Sequence, residues 1–157
     1  HRFPDSKGQR MDWLPRLTVA TIVERDGRFL LVEEYADGDG LVYNQPAGHL
    51  DEHETLAAAA IRETLEETAW EVQIDAIVGV YYWTHPEGHT FVRTCFAGTA
   101  LQHHPDQPLD RGIERALWLT HEEIAALGPK LRSPLVLRCI DDYLAGKRHP
   151  LDLFHYL

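Results

Sequence analysis

A chain of 157 residues with 44% hydrophobic content has material for one core, so a single domain is expected. Its formal net charge of −10 disfavours a long nucleic acid as partner, because a phosphate polymer needs an electropositive track. A small phosphorylated molecule stays admissible wherever a divalent cation reverses the local field.

No apolar run reaches the roughly 18 residues of a membrane span, and the first residues lack the order of a secretory signal. The sequence therefore reads as a soluble, cytoplasmic protein, a monomer or homodimer with no membrane or nucleic-acid partner. Met11 is the only methionine, so the polar, unpatterned residues 1–10 are set apart as an appended or disordered leader, and 11–157 are taken as the domain.

Residues 17–23 and 29–35 are β-rich runs separated by Arg25-Asp26-Gly27, whose Asp-Gly supplies the positive φ of a tight hairpin. A glycine- and aspartate-rich loop, 36–40, leads into a short strand, 41–45, stopped by Pro46. From 51 to 68 the pattern turns helical: Asp51 with Glu54 reads as a capping box, and Ala57, Ile61, Leu65 and Thr68 recur at helical spacing. Two further β-rich runs, 72–83 and 90–99, are joined by 84–89 as a second hairpin.

Residues 102–112, with two prolines and no period, are predicted to be an exposed loop before a strand at 116–119. Thr120 with Glu123 caps a short helix ending near Gly128-Pro129, and Ser133-Pro134 opens a last helix that stops at Gly146. The order β, β, β, α, β, β, β, α, α gives a mixed sheet flanked by helices, an α/β fold of the α+β kind. Cys95 and Cys139 form no CxxC pair and are expected as buried, reduced thiols.

Glu63, Glu66 and Glu67 stand at relative positions 0, 3 and 4, which brings their carboxylates to one side of the predicted helix. Their repulsion is worsened at the negative end of the helix dipole, by about 0.3–1 kcal/mol each, and a bound divalent cation would remove both penalties. One and two turns upstream on that side stand Leu56, Ala59 and Ala60. The face thus begins buried and ends charged, so the carboxylates are expected in a crevice. Oxygen-only ligands of this kind suit Mg²⁺ or Mn²⁺, and no histidine pair on a plausible helix offers a zinc site.

Read as a string, Gly48, five residues, Glu54, seven residues, then Arg62-Glu63-Thr64-Leu65-Glu66-Glu67-Thr68-Ala69-Trp70 resembles the Nudix box. Ala69 replaces the family's usual glycine and Thr64 an aliphatic residue. Asn44-Gln45-Pro46-Ala47-Gly48-His49-Leu50, Leu131-Arg132-Ser133-Pro134-Leu135-Val136 and the ending Gly146-Lys147-Arg148-His149-Pro150-Leu151 are similar to bacterial phosphatases of that family. The resemblance spans 17–151. It implies the Nudix fold, a mixed sheet sandwiched between helices, and hydrolysis of phosphoanhydride bonds in small diphosphates with Mg²⁺. The phosphatase likeness further implies release of phosphate from thiamine-pyrimidine pyrophosphate and from nucleoside di- and triphosphates. A pyrophosphohydrolase of nucleoside diphosphate derivatives such as ADP-ribose, and a nucleotide-sensing domain without turnover, are the alternatives.

Carried over position by position, the resemblance implies Glu63 and Glu67 as the main metal ligands, Glu66 as a third, and the Ala47 carbonyl as a backbone ligand. Arg62, about 100° round the helix from Glu63, is assigned to orienting Glu54 or a ligand by a charge-assisted hydrogen bond. The general base is left open between Glu66 and Glu63, with Glu114 as the remote candidate. For the substrate, Tyr81, Trp83, Phe91 and Arg93 on the second hairpin offer stacking and a phosphate contact, and Arg132 a second phosphate contact.

Overall fold

A computed structural model describes residues 2–4, 10–36, 38 and 40–157 of the chain. Of the leader set apart above, β1 (Arg2–Pro4) pairs antiparallel with β2 (Arg10–Asp12), while residues 1 and 5–9 lie outside the described residues. Asp26 and Gly27 both take positive φ, 52° and 75°, and turn β3 (Arg16–Arg25) into β4 (Arg28–Ala36) as expected from the Asp-Gly pair.

The two strands pair only beside that turn, at Glu24 with Phe29 and Arg25 with Arg28, and then part. β4 continues between β5 (Gly40–Asn44) and β9 (Ile113–Thr120), antiparallel to both. β3 continues parallel to β8 (Thr90–His103) and antiparallel to the short β6 (Ala47–His49), and β7 (Trp70–Thr84) pairs antiparallel with β8 on the outside. The result is a mixed seven-stranded sheet of order β5-β4-β3-β8-β7, with β6 and β9 attached to β3 and β4. Residues 19–23 of β3 are all buried, the pattern of a strand covered on both faces.

One face carries α1 (Leu56–Thr68), whose Ala59 and Ala60 pack on Val19, Ile77 and Phe96. The other carries α2 (His121–Leu127) and α3 (Leu135–Leu144), whose Ile124, Cys139 and Ile140 close over Ala20, Ile22, Phe29 and Leu31. α2 opens on the expected capping box of Thr120 and Glu123, and Ser133 Oγ accepts the Leu135 amide, at 3.2 Å, ahead of α3. Cys95 and Cys139 are both buried and free, and burial pushes the Cys95 thiol up so that it stays protonated. Among the described residues no helix is long and apolar enough to cross a membrane.

Three local expectations are corrected. α1 begins at Leu56, capped by the Thr55 hydroxyl, which accepts the Ala58 amide at 3.1 Å; Asp51 and Glu54 bond to each other, Asp51 N–H to the Glu54 carboxylate at 3.1 Å, but in the turn ahead of the helix, so Asp51 does not cap it. The buried side of α1 is Ala59, Ala60, Thr64, Glu67 and Thr68 rather than the Ile61 stripe, and Ile61 is 39% exposed. Small residues let the helix approach the sheet, so the bulky apolar ones are moved to its flank. β6 was not legible as a strand, since Ala-Gly-His has no β preference; its pairing exists because β3 offers an edge and Thr21 N–H binds the Pro46 carbonyl at 3.1 Å.

Ala69 ends α1 in the left-handed conformation at φ 60°, donating its N–H to Leu65 O at 2.9 Å. That backbone costs an alanine about 1–2 kcal/mol. Burial of the methyl, at 2% exposure, returns about 0.8 kcal/mol. Ala69→Gly is therefore expected to shift stability by under about 1 kcal/mol, read from the urea midpoint at unchanged slope.

Candidate metal centre and substrate groove

The segment between β5 and α1 runs as Asn44-Gln45-Pro46-Ala47-Gly48, and β6 lays its last two residues beside the second half of the helix. A Cβ on Gly48 would fall 2.1 Å from Cδ of Glu63 and within 2.4 Å of both its carboxylate oxygens. Gly48 is thus a glycine because a carboxylate lies on its backbone, and not because of its own φ.

Glu63, Glu66 and Asp110 each offer a carboxylate oxygen, and the three oxygens lie within 4.8 Å of one another. Two come from successive turns of α1 and the third from the loop after β8. The loop is fastened to the end of the helix: His104 N–H binds Ala69 O at 2.8 Å, the Gln107 side chain binds Leu65 O at 2.9 Å, and Asp110 N–H binds Glu66 O at 2.9 Å. Carbonyls of the last helical turn hold the segment that delivers Asp110.

Glu67 faces the sheet, 7% exposed, and accepts the Ala47 N–H at 2.8 Å. Burial pushes its carboxyl up to about 9, against the pull of the Ala47 amide and with the charges of Glu34, Glu63 and Asp110 adding to the rise. Glu63 is raised too, by burial first, with Arg62 opposing and Glu66 and Asp110 adding.

Arg62 is the one guanidinium among them. Its Nε and Nη2 grip Glu54 at 2.8 and 3.0 Å, its Nη1 reaches Glu63 at 2.9 Å and Glu66 at 3.2 Å, and Nη2 also holds His49 O at 3.0 Å. The bidentate grip holds the Glu54 carboxyl below its usual range. Converging hard oxygens, a glycine cradle that a Cβ would fill, and two carboxyls whose pKa values burial raises together fit a hard divalent cation.

A groove of about 670 Å³ opens between the β7–β8 turn and the start of α3, walled by Trp83, Pro86, Leu131, Arg132, Pro134 and Leu137. Trp83 stacks on Phe91, with centroids 5.8 Å apart at 22°, and meets His85 edge-on. Arg132 is fixed by its N–H to Tyr43 O at 2.8 Å and by an ion pair to Glu34 at 2.6 Å. Glu34, the ion-pair partner of Arg132, is also one of the charges that raise Glu67.

The sequence candidates are thereby sorted. Glu63, Glu66 and Arg62 meet in one place, Glu67 and Ala47 are bonded to each other, and Trp83 and Arg132 share the groove. Tyr81 and Arg93 do not line it. Strand alternation turns Arg93 toward α3 with Cys95, where it is 6% exposed and held by Asn44 and Gln45, and Tyr81 is tied by its hydroxyl to Asp142 at 2.7 Å. Glu114 accepts the Tyr35 hydroxyl at 2.9 Å on the exposed side of β9, outside the carboxylate group. Asp110 and Glu34 were missed: an acid in an aperiodic loop and one at a strand end carry no local signal.

The sequence profile of the NUDIX domain matches residues 14–139. The chain belongs to the Nudix family. It is 42% identical over 139 residues to the phosphatase NudJ of Escherichia coli K12, across 88% of this chain and 90% of that one. A solved Nudix hydrolase from Nitrosomonas europaea matches with a TM-score of 0.89 at 44% identity, over 92% of this chain and 98% of its own. An ADP-ribose pyrophosphatase from Streptococcus suis 89-1591 shares the fold alone, with a TM-score of 0.65 at 16% identity over 87% of this chain and 96% of that one.

The chain is accordingly a Nudix hydrolase of pyrophosphate bonds, in a family whose members generally use divalent metal ions and act on small nucleotide molecules. Gly48→Ala would drive the Glu63 carboxylate off the Nudix cradle. A displacement on the order of 1 Å lowers turnover about a hundredfold. That loss is expected in steady-state kinetics, with the circular dichroism of the folded protein retained.

Proposed function

We propose that this Nudix hydrolase is a Mg²⁺-dependent phosphatase that releases inorganic phosphate from nucleoside di- and triphosphates and from thiamine-pyrimidine pyrophosphate. The observation that carries the reading is the convergence of the Glu63, Glu66 and Asp110 carboxylate oxygens, and a separate groove lined by Trp83, Arg132 and Arg138 offers an aromatic face and cations to a substrate. Similarity to NudJ over most of both chains supports it. When bound, Mg²⁺, or Mn²⁺ in its place, neutralises charge developing on phosphoryl oxygens and orders the attacking water.

The protein's own groups do the rest. Glu63, Glu66 and Asp110 would hold the cation, with Glu67, bonded to the Ala47 amide, and the Ala47 carbonyl as further oxygen ligands, and Arg62 holds Glu63 and Glu66 by hydrogen bonds. The base that takes the water's proton is a carboxylate oxygen of Glu63 or Glu66; Glu114, occupied by Tyr35, is set apart. Trp83 stacks on the heterocycle, and Arg132 turns from Glu34 to a phosphate oxygen.

The same reading puts the protein in the cytoplasm, where free thiols stay reduced, as a monomer or homodimer, with residues 1–10 outside the catalytic domain.

Phosphate release is to be measured over a panel of di- and triphosphates, thiamine-pyrimidine pyrophosphate and ADP-ribose, with and without Mg²⁺. Metal-dependent phosphate from terminal diphosphates is the expected result. Two organic monophosphates from ADP-ribose, or binding without turnover, would overturn it. On a substrate that is turned over, Trp83→Ala is expected to raise KM about five- to a hundredfold with kcat kept, the range of a lost stacking contact.

A further inference from the structure

We infer that Arg93 is a positioning residue of the hydrolytic site: it anchors residues 44–45 so that Ala47 and Gly48 meet Glu67 and Glu63. The inference rests on the hydrolase activity of the Nudix family and not on the substrate class proposed above.

Arg93 is 6% exposed on β8, yet among the described residues no carboxylate pairs with it. Its Nη1 donates to Gln45 Oε1 at 2.9 Å and its Nη2 to Asn44 Oδ1 at 3.2 Å, and among the described residues its Nε has no partner. Burying a guanidinium against two neutral amides and leaving one N–H unsatisfied is costly, and an apolar residue of that size would pack the site better. The planar fork does one thing an apolar residue cannot: it reaches two adjacent amide oxygens at once and fixes their backbone.

The connection continues on both sides. Gln45, 1% exposed, donates its other amide atom to Val136 O of α3 at 2.6 Å, so β8, the strap and α3 are joined through one side chain. Only Pro46, with its fixed φ, separates Gln45 from Ala47. The Pro46 carbonyl is held by Thr21 N–H at 3.1 Å, the Ala47 N–H lies on Glu67 at 2.8 Å, and Gly48 lies beneath the Glu63 carboxylate. A shift at Gln45 is therefore passed to the two backbone positions that shape the acidic cluster. Arg93 itself points away from that cluster, toward α3, and touches no substrate.

The test uses the full chain. In metal-free protein, Arg93→Met is expected to speed hydrogen exchange of the Ala47 amide about tenfold while the Phe96 and Ile77 amides keep their rates. In the Mg²⁺-loaded enzyme it is expected to lower kcat about tenfold with KM within about twofold, and Arg93→Lys to recover part of the loss. Gln45→Leu should reproduce both effects, and the double variant should be no worse than either single one. A KM raised about tenfold at unchanged kcat would make Arg93 a substrate contact and overturn the inference. Unchanged Ala47 exchange and unchanged kcat would overturn it as well, leaving Arg93 a structural filler. Should Arg93→Met fail to fold, Gln45→Leu decides alone, with wild-type Ala47 exchange as the refuting outcome. A failure of the phosphatase reading would appear in the substrate panel of the unmodified enzyme and leave Ala47 exchange untouched.

Discussion

Glu63→Gln is expected to lower kcat about a thousandfold at saturating Mg²⁺, on the order of 4 kcal/mol of lost transition-state stabilisation. The substitution keeps the shape of the side chain and removes its charge. It takes one oxygen anion from the group it forms with Glu66 and Asp110, and it turns the 2.9 Å ion pair with Arg62 into a hydrogen bond to a neutral oxygen. Asp110→Asn is the sharper variant, because only the folded chain brings that residue to the cluster. It is expected to reduce turnover about a hundredfold and to raise the Mg²⁺ needed for half-maximal rate. Asp106→Asn, an exposed acid of the same loop, is the control and should stay within about twofold of the unmodified enzyme. Equal rates for Asp110→Asn and Asp106→Asn would remove Asp110 from the site.

Metal-free protein is expected to lose stability as the pH rises from about 5 to about 9, and Mg²⁺ to restore more of it the higher the pH. The sign follows from Glu67. Burial pushes its folded carboxyl up to about 9 from an ordinary value of 4.5, so between these limits the folded state binds more protons than the unfolded state. Stability then falls with rising pH, by at most about 1.4 kcal/mol per unit for one group. Glu63, also raised by burial, acts in the same direction. A cation favours the ionised carboxylates, so the rise in Tm on adding Mg²⁺ should be larger near pH 8.5 than near pH 5.5, because the proton that the cation displaces from Glu67 is released more easily at the higher pH. Glu67→Gln can still accept the Ala47 amide and should flatten the metal-free profile while lowering activity. A metal-free Tm that does not fall across the window would mean that the Glu67 charge is already compensated in the folded protein.

Local chemistry made a large part of this legible. Asp26-Gly27 marked its turn, Thr120 and Glu123 their cap, and Gly128 the end of α2, because each acts over three or four residues of contiguous chain. The spacing of Glu63 and Glu66 placed two carboxylates on one helix face, and Arg62, four residues before Glu66, lay within reach of it for the same reason. Arg62 was also expected to orient Glu54, and the two side chains are in bidentate contact.

The sequence by itself therefore determined the fold class, the carboxylate helix and its arginine, all of which rest on short-range periodicity and on the string from Gly48 to Trp70. Tertiary structure alone decided the rest. Asp110 reaches the cluster through hydrogen bonds to carbonyls at the end of α1, which belong to a distant stretch of chain. α1 turns Ala60 and Thr64 inward instead of Ile61, because the closeness of the sheet, not hydrophobicity alone, selects the buried face. Arg93, whose residue type suggests a phosphate contact, lies beneath α3 instead, since strand alternation and the packing of that helix fix where its side chain must go.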